Sequence, residues 1–333
     1  MHMPAPAIEL QALTKKFGDF TAVNQISLQI RSGEIFGLLG PNGAGKTTTL
    51  SILATIANPT SGKAFVLEKN TSTEKEAVRE SIGMVFQDPS LDDELTGREN
   101  LDFHGRLYKI EKSERDAKIQ ELSRLVDLEA KLDQPVKTYS GGMKRRLEIA
   151  RALMHVPQVL FLDEPTIGLD PQTRRKLWDY IRQINQTQKI TMILTTHYME
   201  EADALCERIA IIDQGKIITM DTPAKLKAAL GGDVITLDVS SAEKMKTALK
   251  EEKKIKEVNL WNHSLNVVVE EGAKTIPKMM ELARKNKIEV YSVSLKQPTL
   301  EDVFIHYTGR SIREQEADSA DAARKMMGMR RGR

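Results

Sequence analysis

The sequence contains a single cysteine, Cys206, so no disulfide can form within the chain. That agrees with a reducing compartment, although one cysteine by itself excludes little. Long apolar runs are also missing. Ile35–Leu39, Val159–Leu162 and Ile209–Ile212 are short, and none nears the roughly 20 residues a membrane-spanning helix needs. Met1–Pro6 has no basic stretch leading into an apolar one, so no signal peptide is expected there. Neither sign of charge dominates: 49 Lys and Arg stand against 47 Asp and Glu, a net charge of +2. Nucleic-acid proteins usually carry a basic excess, so nucleic acid is not an expected partner.

What remains is an ordinary globular composition, 40% hydrophobic and 29% charged over 333 residues, a length that suggests two domains. From Ile8 to about Leu230 the pattern is mixed α/β. Ile26–Ile30 alternates like a half-buried strand. Glu34–Leu39 is strand-like and precedes a Gly-rich turn and a helical stretch from Lys46. Val159–Leu162, Ile190–Leu194 and Ile209–Ile212 are continuous apolar runs, as in buried parallel strands. Strands alternating with helices predict a mostly parallel sheet covered by helices. Between about residues 90 and 155 the strand pattern gives way to charged helical segments, Glu99–Leu107 and Glu114–Leu128, which predict a helical subdomain inserted in the α/β domain, 8–230.

Gly231-Gly232 marks the expected domain boundary. Beyond it the order is strand (Val234–Val239), helix (Ala242–Glu252), strand (Val258–Trp261), turn (Asn262-His263-Ser264), strand (Leu265–Val269), helix (Ala273–Asn286) and strand (Ile288–Val293). This βαββαβ order is ferredoxin-like and predicts a small α+β accessory domain over 231–309, ending in a short helix, Leu300–His306. The tail, 310–333, is polar and finishes in basic residues. Disorder is the plain reading, and contact with an anionic membrane surface or a partner is the sharper one.

Gly40-Pro41-Asn42-Gly43-Ala44-Gly45-Lys46-Thr47 fits the phosphate-loop pattern G-x-x-x-x-G-K-[ST], between a predicted strand and a predicted helix. The glycines let several backbone N–H groups turn inward toward phosphate. The helix N-terminus adds positive potential. Lys46 supplies charge to the β- and γ-phosphates, and the Thr47 hydroxyl supplies a ligand for Mg²⁺. A chance glycine-rich turn is the competing reading. The motif establishes nucleotide binding better than any particular task.

Val159–Leu162 ends in Asp163-Glu164. Asp163 is placed to hold Mg²⁺, and Glu164 to accept a proton from, or orient, an attacking water. Taken alone, a buried strand capped by solvated acids is an equal reading. Ser140-Gly141-Gly142 leads into an amphipathic helix and forms a second anion site. A second anion site is surplus in a chain with one phosphate loop, unless it closes on phosphate held by another copy. By itself Ser-Gly-Gly is also an ordinary turn.

Taken together, these motifs resemble the ABC ATPase family over roughly residues 8–230. The family order of aromatic loop, Walker A, Q-loop, signature, Walker B, D-loop and switch histidine is met by Phe17, Gly40–Thr48, Gln87, Tyr139–Met143, Val159–Glu164, Ile167–Asp170 and His197. The resemblance implies the following roles. Phe17 stacks on adenine, a contact worth about 0.5–1.5 kcal/mol beyond burial, with a core phenylalanine as the alternative. Gly40 to Thr48, Thr48 included, cradle the phosphates. Gln87 touches Mg²⁺ or water and senses a membrane partner. Ser140, Gly141 and Gly142 contact phosphate, Asp170 crosses a dimer interface, and His197 faces the γ-phosphate. Tyr139 and Met143 depart from the commonest Leu-Ser-Gly-Gly-Gln signature, but the phosphate-contacting Ser and Gly residues are kept.

The Tyr-Ser-Gly-Gly-Met form, Pro165–Pro171, His197–Asp203 and Gln297–Phe304 resemble the daunorubicin-resistance-type exporter ATPases. That resemblance implies an ATPase that works as a homodimer on the cytoplasmic face of the membrane. It would use ATP and Mg²⁺ to drive export of a drug, lipid or polysaccharide through a separate ABC-2-type permease. The accessory domain could support the dimer, contact the permease or regulate. The alternatives are a non-transport ABC ATPase acting on ribosomes or nucleic acid, and an import ATPase.

Overall fold

The computed structural model describes residues 5–250, 255–261 and 264–308. The expected basic tail, and Asn262 and His263 of the expected turn, lie outside the described residues. The chain divides into two compact units, one ending at Asp221 and one beginning at Thr222.

In the first unit, β1 (Ile8–Phe17) and β2 (Phe20–Ile30) form an antiparallel hairpin that turns at Gly18, where φ is +57°. β3 (Ile35–Leu39) is wholly buried and feeds a loop that opens α1 (Lys46–Leu53). β4 (Ser61–Val66), β5 (Lys69–Asn70), α2 (Lys75–Ser81) and β6 (Ile82–Val85) follow. Three helices then occupy the stretch predicted to be a helical insertion: α3 (Gly97–Leu107), α4 (Lys112–Leu125) and α5 (Gly141–Leu153). A capping box starts α3: the Thr96 hydroxyl accepts from the Glu99 amide, and the Glu99 carboxylate accepts from the Thr96 amide. The unit closes with β7 (Val159–Asp163), α6 (Pro171–Gln188), β8 (Thr191–Thr196), α7 (Met199–Leu205), β9 (Arg208–Asp213) and β10 (Lys216–Asp221).

These strands make two sheets. One has the order β10-β9-β3-β8-β7-β6 and is parallel except for its β10 edge. Its central strands β3, β7 and β8 are buried at every position, as strands covered on both faces must be. The other sheet, β2-β1-β4-β5, is antiparallel; the sequence reading did not foresee it. α1 contributes Leu50, Ile52 and Leu53 to one core cluster with Leu10 and Ile26 of the antiparallel sheet and Phe36 and Phe161 of the parallel one. Burying each such side chain is worth about 1.5–3 kcal/mol. The helix that carries the phosphate loop is therefore clamped from both sides.

The second unit begins with α8 (Pro223–Ala228), ahead of the expected boundary at Gly231-Gly232. It continues through β11 (Asp233–Val239), α9 (Ala242–Lys250), β12 (Ile255–Trp261), β13 (Ser264–Val269), α10 (Gly272–Lys285), β14 (Val290–Lys296) and α11 (Leu300–Thr308). α8 belongs here because it packs on α11, burying Leu226 on one side and Leu300, Val303 and Phe304 on the other. The antiparallel order β12-β13-β11-β14 with α9 and α10 is ferredoxin-like. Ile235, Leu237, Leu265 and Val267 face Met245 and Met279 in its core.

Candidate functional site

The parallel strands β3, β7 and β8 are neighbours, and their C-terminal ends carry the loop from Gly40, the pair Asp163-Glu164 and His197. Ligands of open α/β sheets bind at these ends. Two glycines in the phosphate loop are required sterically. A Cβ on Gly40 would lie 2.2 Å from the Ile212 carbonyl oxygen, and one on Gly45 2.4 Å from that of Ala22. Gly45 also has φ +104°, open to glycine at little cost. The β9–β10 turn braces the loop: the Gly215 amide donates to the Ala44 carbonyl at 3.0 Å, and its carbonyl accepts from the Asn24 amide at 2.8 Å. Gly45 is the N-cap of α1, and a helix N-terminus favours a bound anion.

Lys46 is buried, with 4% of its surface exposed. Its Nζ donates to the carbonyls of Gly40 (2.7 Å) and Pro41 (3.1 Å) and pairs with Glu164 Oε1 at 3.2 Å. His197 Nδ1 lies 2.9 Å from the other oxygen, Glu164 Oε2. Burial pushes the Glu164 carboxyl up, but the His197 hydrogen bond and the Lys46 charge outweigh it and hold the group below its ordinary value. Glu164 adopts a left-handed backbone, φ +47°, which costs a non-glycine residue about 1–2 kcal/mol. Its amide donates to the Thr195 carbonyl (3.1 Å) and hydroxyl (3.0 Å), which fixes this conformation.

Asp163 is opposite Thr195 in the β7–β8 register. Its Oδ1 accepts from the Thr195 hydroxyl at 2.5 Å and the Thr47 hydroxyl at 3.2 Å. Burial raises the Asp163 carboxyl, and these two donors oppose the rise. One carboxylate and one hydroxyl are hard oxygen donors of the kind Mg²⁺ takes when it keeps its waters and substrate phosphates. Among the described residues no group of three His, Cys, Asp or Glu side chains could hold a metal alone. The Asp163 carboxylate and the Thr47 hydroxyl are oxygen donors that fit Mg²⁺ in kind.

The other predicted residues fall elsewhere. Phe17 is 55% exposed with the Lys15 ammonium 5.0 Å from its ring centre, so the core reading of Phe17 does not hold. Its hairpin partner Phe20 is 64% exposed, a second aromatic that the sequence reading passed over. Gln87 follows β6 and is exposed, and its carbonyl accepts from Arg145 Nη2 at 2.9 Å. Ser140 caps α5, its hydroxyl accepting from the Met143 amide at 3.3 Å. Asp170 caps α6, accepting from the Gln172 and Thr173 amides at 3.0 Å. These two helix starts touch: a Cβ on Gly142 would lie 2.3 Å from Thr173 Cγ2, and one on Gly141 3.6 Å from Leu169 Cδ2. The chain therefore holds two separate constellations, Lys46-Thr47-Asp163-Glu164-His197 and Ser140-Gly141-Gly142 beside Leu169-Asp170.

Two residues of weight were missed. Thr195 could have been suspected from the hydroxyl pair Thr195-Thr196 ending an apolar strand. Arg145 hides in the run Lys144-Arg145-Arg146, although its spacing from Glu148 puts both on the buried face of α5.

Residues 23–167 match the ABC transporter family, and residues 222–308 match the family described as ATP-binding protein DrrA1-3-like, C-terminal domain. The chain is 37% identical over 317 residues to a linearmycin resistance ATP-binding protein of Bacillus subtilis, covering 92% of this chain and all of the relative. It is 37% identical to a daunorubicin/doxorubicin resistance ATP-binding protein of Streptomyces peucetius, covering 97% of this chain and 98% of the relative. A Nod factor export ATP-binding protein of Sinorhizobium fredii is 38% identical, over 92% of this chain and 88% of the relative. Among solved structures, cbiO1 from Clostridium perfringens, part of an ABC transporter complex, matches with TM-score 0.63 and 26% identity over 74% of this chain and 95% of its own. A dimeric ATP-binding cassette in a post-hydrolysis state, bound to ADP and Pi, matches with TM-score 0.58 and 28% identity over 65% of this chain and 98% of its own. The chain belongs to the ABC transporter family as an ATP-hydrolysing, ATP-binding subunit, in the branch that carries the daunorubicin-resistance-type C-terminal domain.

Proposed function

We propose that two copies of this chain close on two ATP molecules and drive export through a separate ABC-2-type permease at the cytoplasmic face of the membrane. The observation that carries this reading is the separation of the two constellations. The phosphate-loop constellation is one set of contacts, and Ser140–Gly142 at the start of α5 is another, packed against Leu169 and Thr173. A second copy related by a two-fold axis supplies one to the other. No helix among the described residues is long and apolar enough to cross a membrane, which is consistent with a cargo path on a separate chain. The export direction and the cargo class (drug, lipid or polysaccharide) rest on the relatives named for resistance and export.

In this reading Phe17 stacks on the adenine, and the amides of Gly40 to Thr48 hold the phosphates. Phosphate draws Lys46 away from Glu164. Thr47, Asp163 and Gln87 are the residues that would hold Mg²⁺, which would neutralise phosphate charge when bound. Glu164 takes a proton from water as the water oxygen bonds to the γ-phosphorus and the bond to ADP breaks. His197 holds Glu164 in aim and faces the leaving phosphate. Asp170 meets the second copy at the interface.

Glu164→Gln keeps the shape and removes the base. It is expected to bind ATP, to lose turnover by a factor of roughly 10² to 10⁴, and to run as an ATP-bound pair in size-exclusion chromatography. Near-normal turnover in this variant would remove Glu164 from the role.

A further inference from the structure

Arg145 has no part in the reading above, yet its surroundings are unusually well built. Its side chain is 6% exposed. Nη1 donates to the Phe86 carbonyl at 2.5 Å and to Glu148 Oε2 at 2.9 Å. Nη2 donates to the carbonyls of Gln87 at 2.9 Å and Glu164 at 3.4 Å. Glu148 is fully buried and also accepts from the Ser90 amide at 2.9 Å. One guanidinium therefore joins three pieces of chain: the loop Phe86–Ser90, the helix that opens at Ser140, and the residue read as the base.

Two physical points give this join consequences. A buried cation that loses its acceptors is costly, so the loop cannot drift from Arg145 without Arg145 following it. The guanidinium fork is also planar and rigid, so it transmits direction as well as charge, which an ammonium does not. Glu164 is sensitive to such movement because its left-handed backbone is held from outside. Thr195 fixes its amide, and Arg145 and the Ile167 amide (3.2 Å) fix its carbonyl. The two peptide planes flanking Glu164 together set where its carboxylate points.

We propose that Arg145 is a positioning residue that couples the Phe86–Ser90 loop to the aim of Glu164 and to the Ser140 end of α5. A displacement of that loop then reaches the base of its own site, and the anion site offered to the second copy, through one side chain. The proposal rests on Glu164 being the base.

The test compares Arg145→Lys, Arg145→Ala and Glu164→Gln in the full chain, reading steady-state ATPase activity and equilibrium binding of a fluorescent ATP analogue. Misplacing a reacting group by about 1 Å costs on the order of 10²-fold in rate. Arg145→Ala is expected to lose kcat by roughly that factor, and Arg145→Lys by about tenfold, while ATP Kd changes by less than about threefold. If Arg145→Ala does not fold, Arg145→Lys keeps the charge and carries the test. Wild-type kcat in Arg145→Lys overturns the proposal, and so does a loss of ATP affinity as large as the loss of rate. Turnover retained in Glu164→Gln overturns the underlying assignment instead, whatever the Arg145 variants do.

Discussion

Replacing Thr195 by valine keeps the side-chain shape and removes one hydroxyl from the site. That hydroxyl donates to Asp163 Oδ1 at 2.5 Å and accepts the Glu164 amide at 3.0 Å. The Glu164 amide keeps the Thr195 carbonyl at 3.1 Å, so the loss falls mainly on Asp163. A hydrogen bond to a charged group is worth about 1.5–3 kcal/mol net. Losing that donor therefore raises the Asp163 carboxyl further. The direction follows from what the donor does. Burial already favours the protonated acid, and the Thr195 and Thr47 hydroxyls favour the carboxylate. Removing one of them lets protonation occur at higher pH, so activity is lost sooner as pH falls. The assay is the ATPase rate against pH at saturating ATP and Mg²⁺, repeated with Mg²⁺ varied. Thr195→Val should move the acid limb to higher pH and raise the Mg²⁺ needed for half-maximal rate. Thr195→Ser, which keeps the hydroxyl, should stay near wild type. An unchanged acid limb and Mg²⁺ dependence in Thr195→Val would refute the claim that this hydroxyl tunes Asp163.

Other outcomes follow from separate parts of the structure. Gly40→Ala would drive a Cβ to 2.2 Å from the Ile212 carbonyl oxygen; the loop must move, and binding of a fluorescent ATP analogue should weaken by at least tenfold, on the order of 1.4 kcal/mol. His104 on α3 is pushed down to about 4, mainly by burial and then by the Arg151 charge. Its folded-state value is below its unfolded one, so the unfolded chain binds the extra proton. Unfolding free energy should therefore fall as pH drops from 6.5 toward 4, by roughly 1–3 kcal/mol, and His104→Gln should flatten that slope in urea titrations.

Much of the candidate constellation was legible because each residue type is demanded locally. Gly45 must take positive φ, Lys46 must bring charge, and Asp163-Glu164 must end a buried strand. Thr195 was not legible, because its role arises only when β7 and β8 pair in the register that sets it against Asp163. Sequence spacing carries no record of that register. Arg145 reads as one cation in a basic run, and only the packing of α5 shows that it is inside. The antiparallel sheet escaped notice because β1 is irregular: Ala12 has φ +46°, and the pairing with β2 shifts after Leu10. That breaks the alternation a strand is recognised by. Gly231 and Gly232 looked like a linker, and they do take positive φ, +102° and +120°. They form a turn into β11 within the second unit, whose start is set upstream by the burial of Leu226.

The central claim is that each working site is shared between two copies, and mixing two inactive variants tests it directly. Lys46→Ala removes the phosphate lysine but leaves Ser140–Gly142 intact. Ser140→Arg, at an exposed position, blocks the second anion site but leaves the phosphate loop intact. Each alone should be inactive. Half of the randomly formed pairs in an equal mixture are mixed, and each mixed pair rebuilds one complete site, so the mixture should regain roughly a quarter of wild-type ATPase activity. A mixture that stays as inactive as its components would contradict the shared site, and so would either variant alone hydrolysing ATP at the wild-type rate.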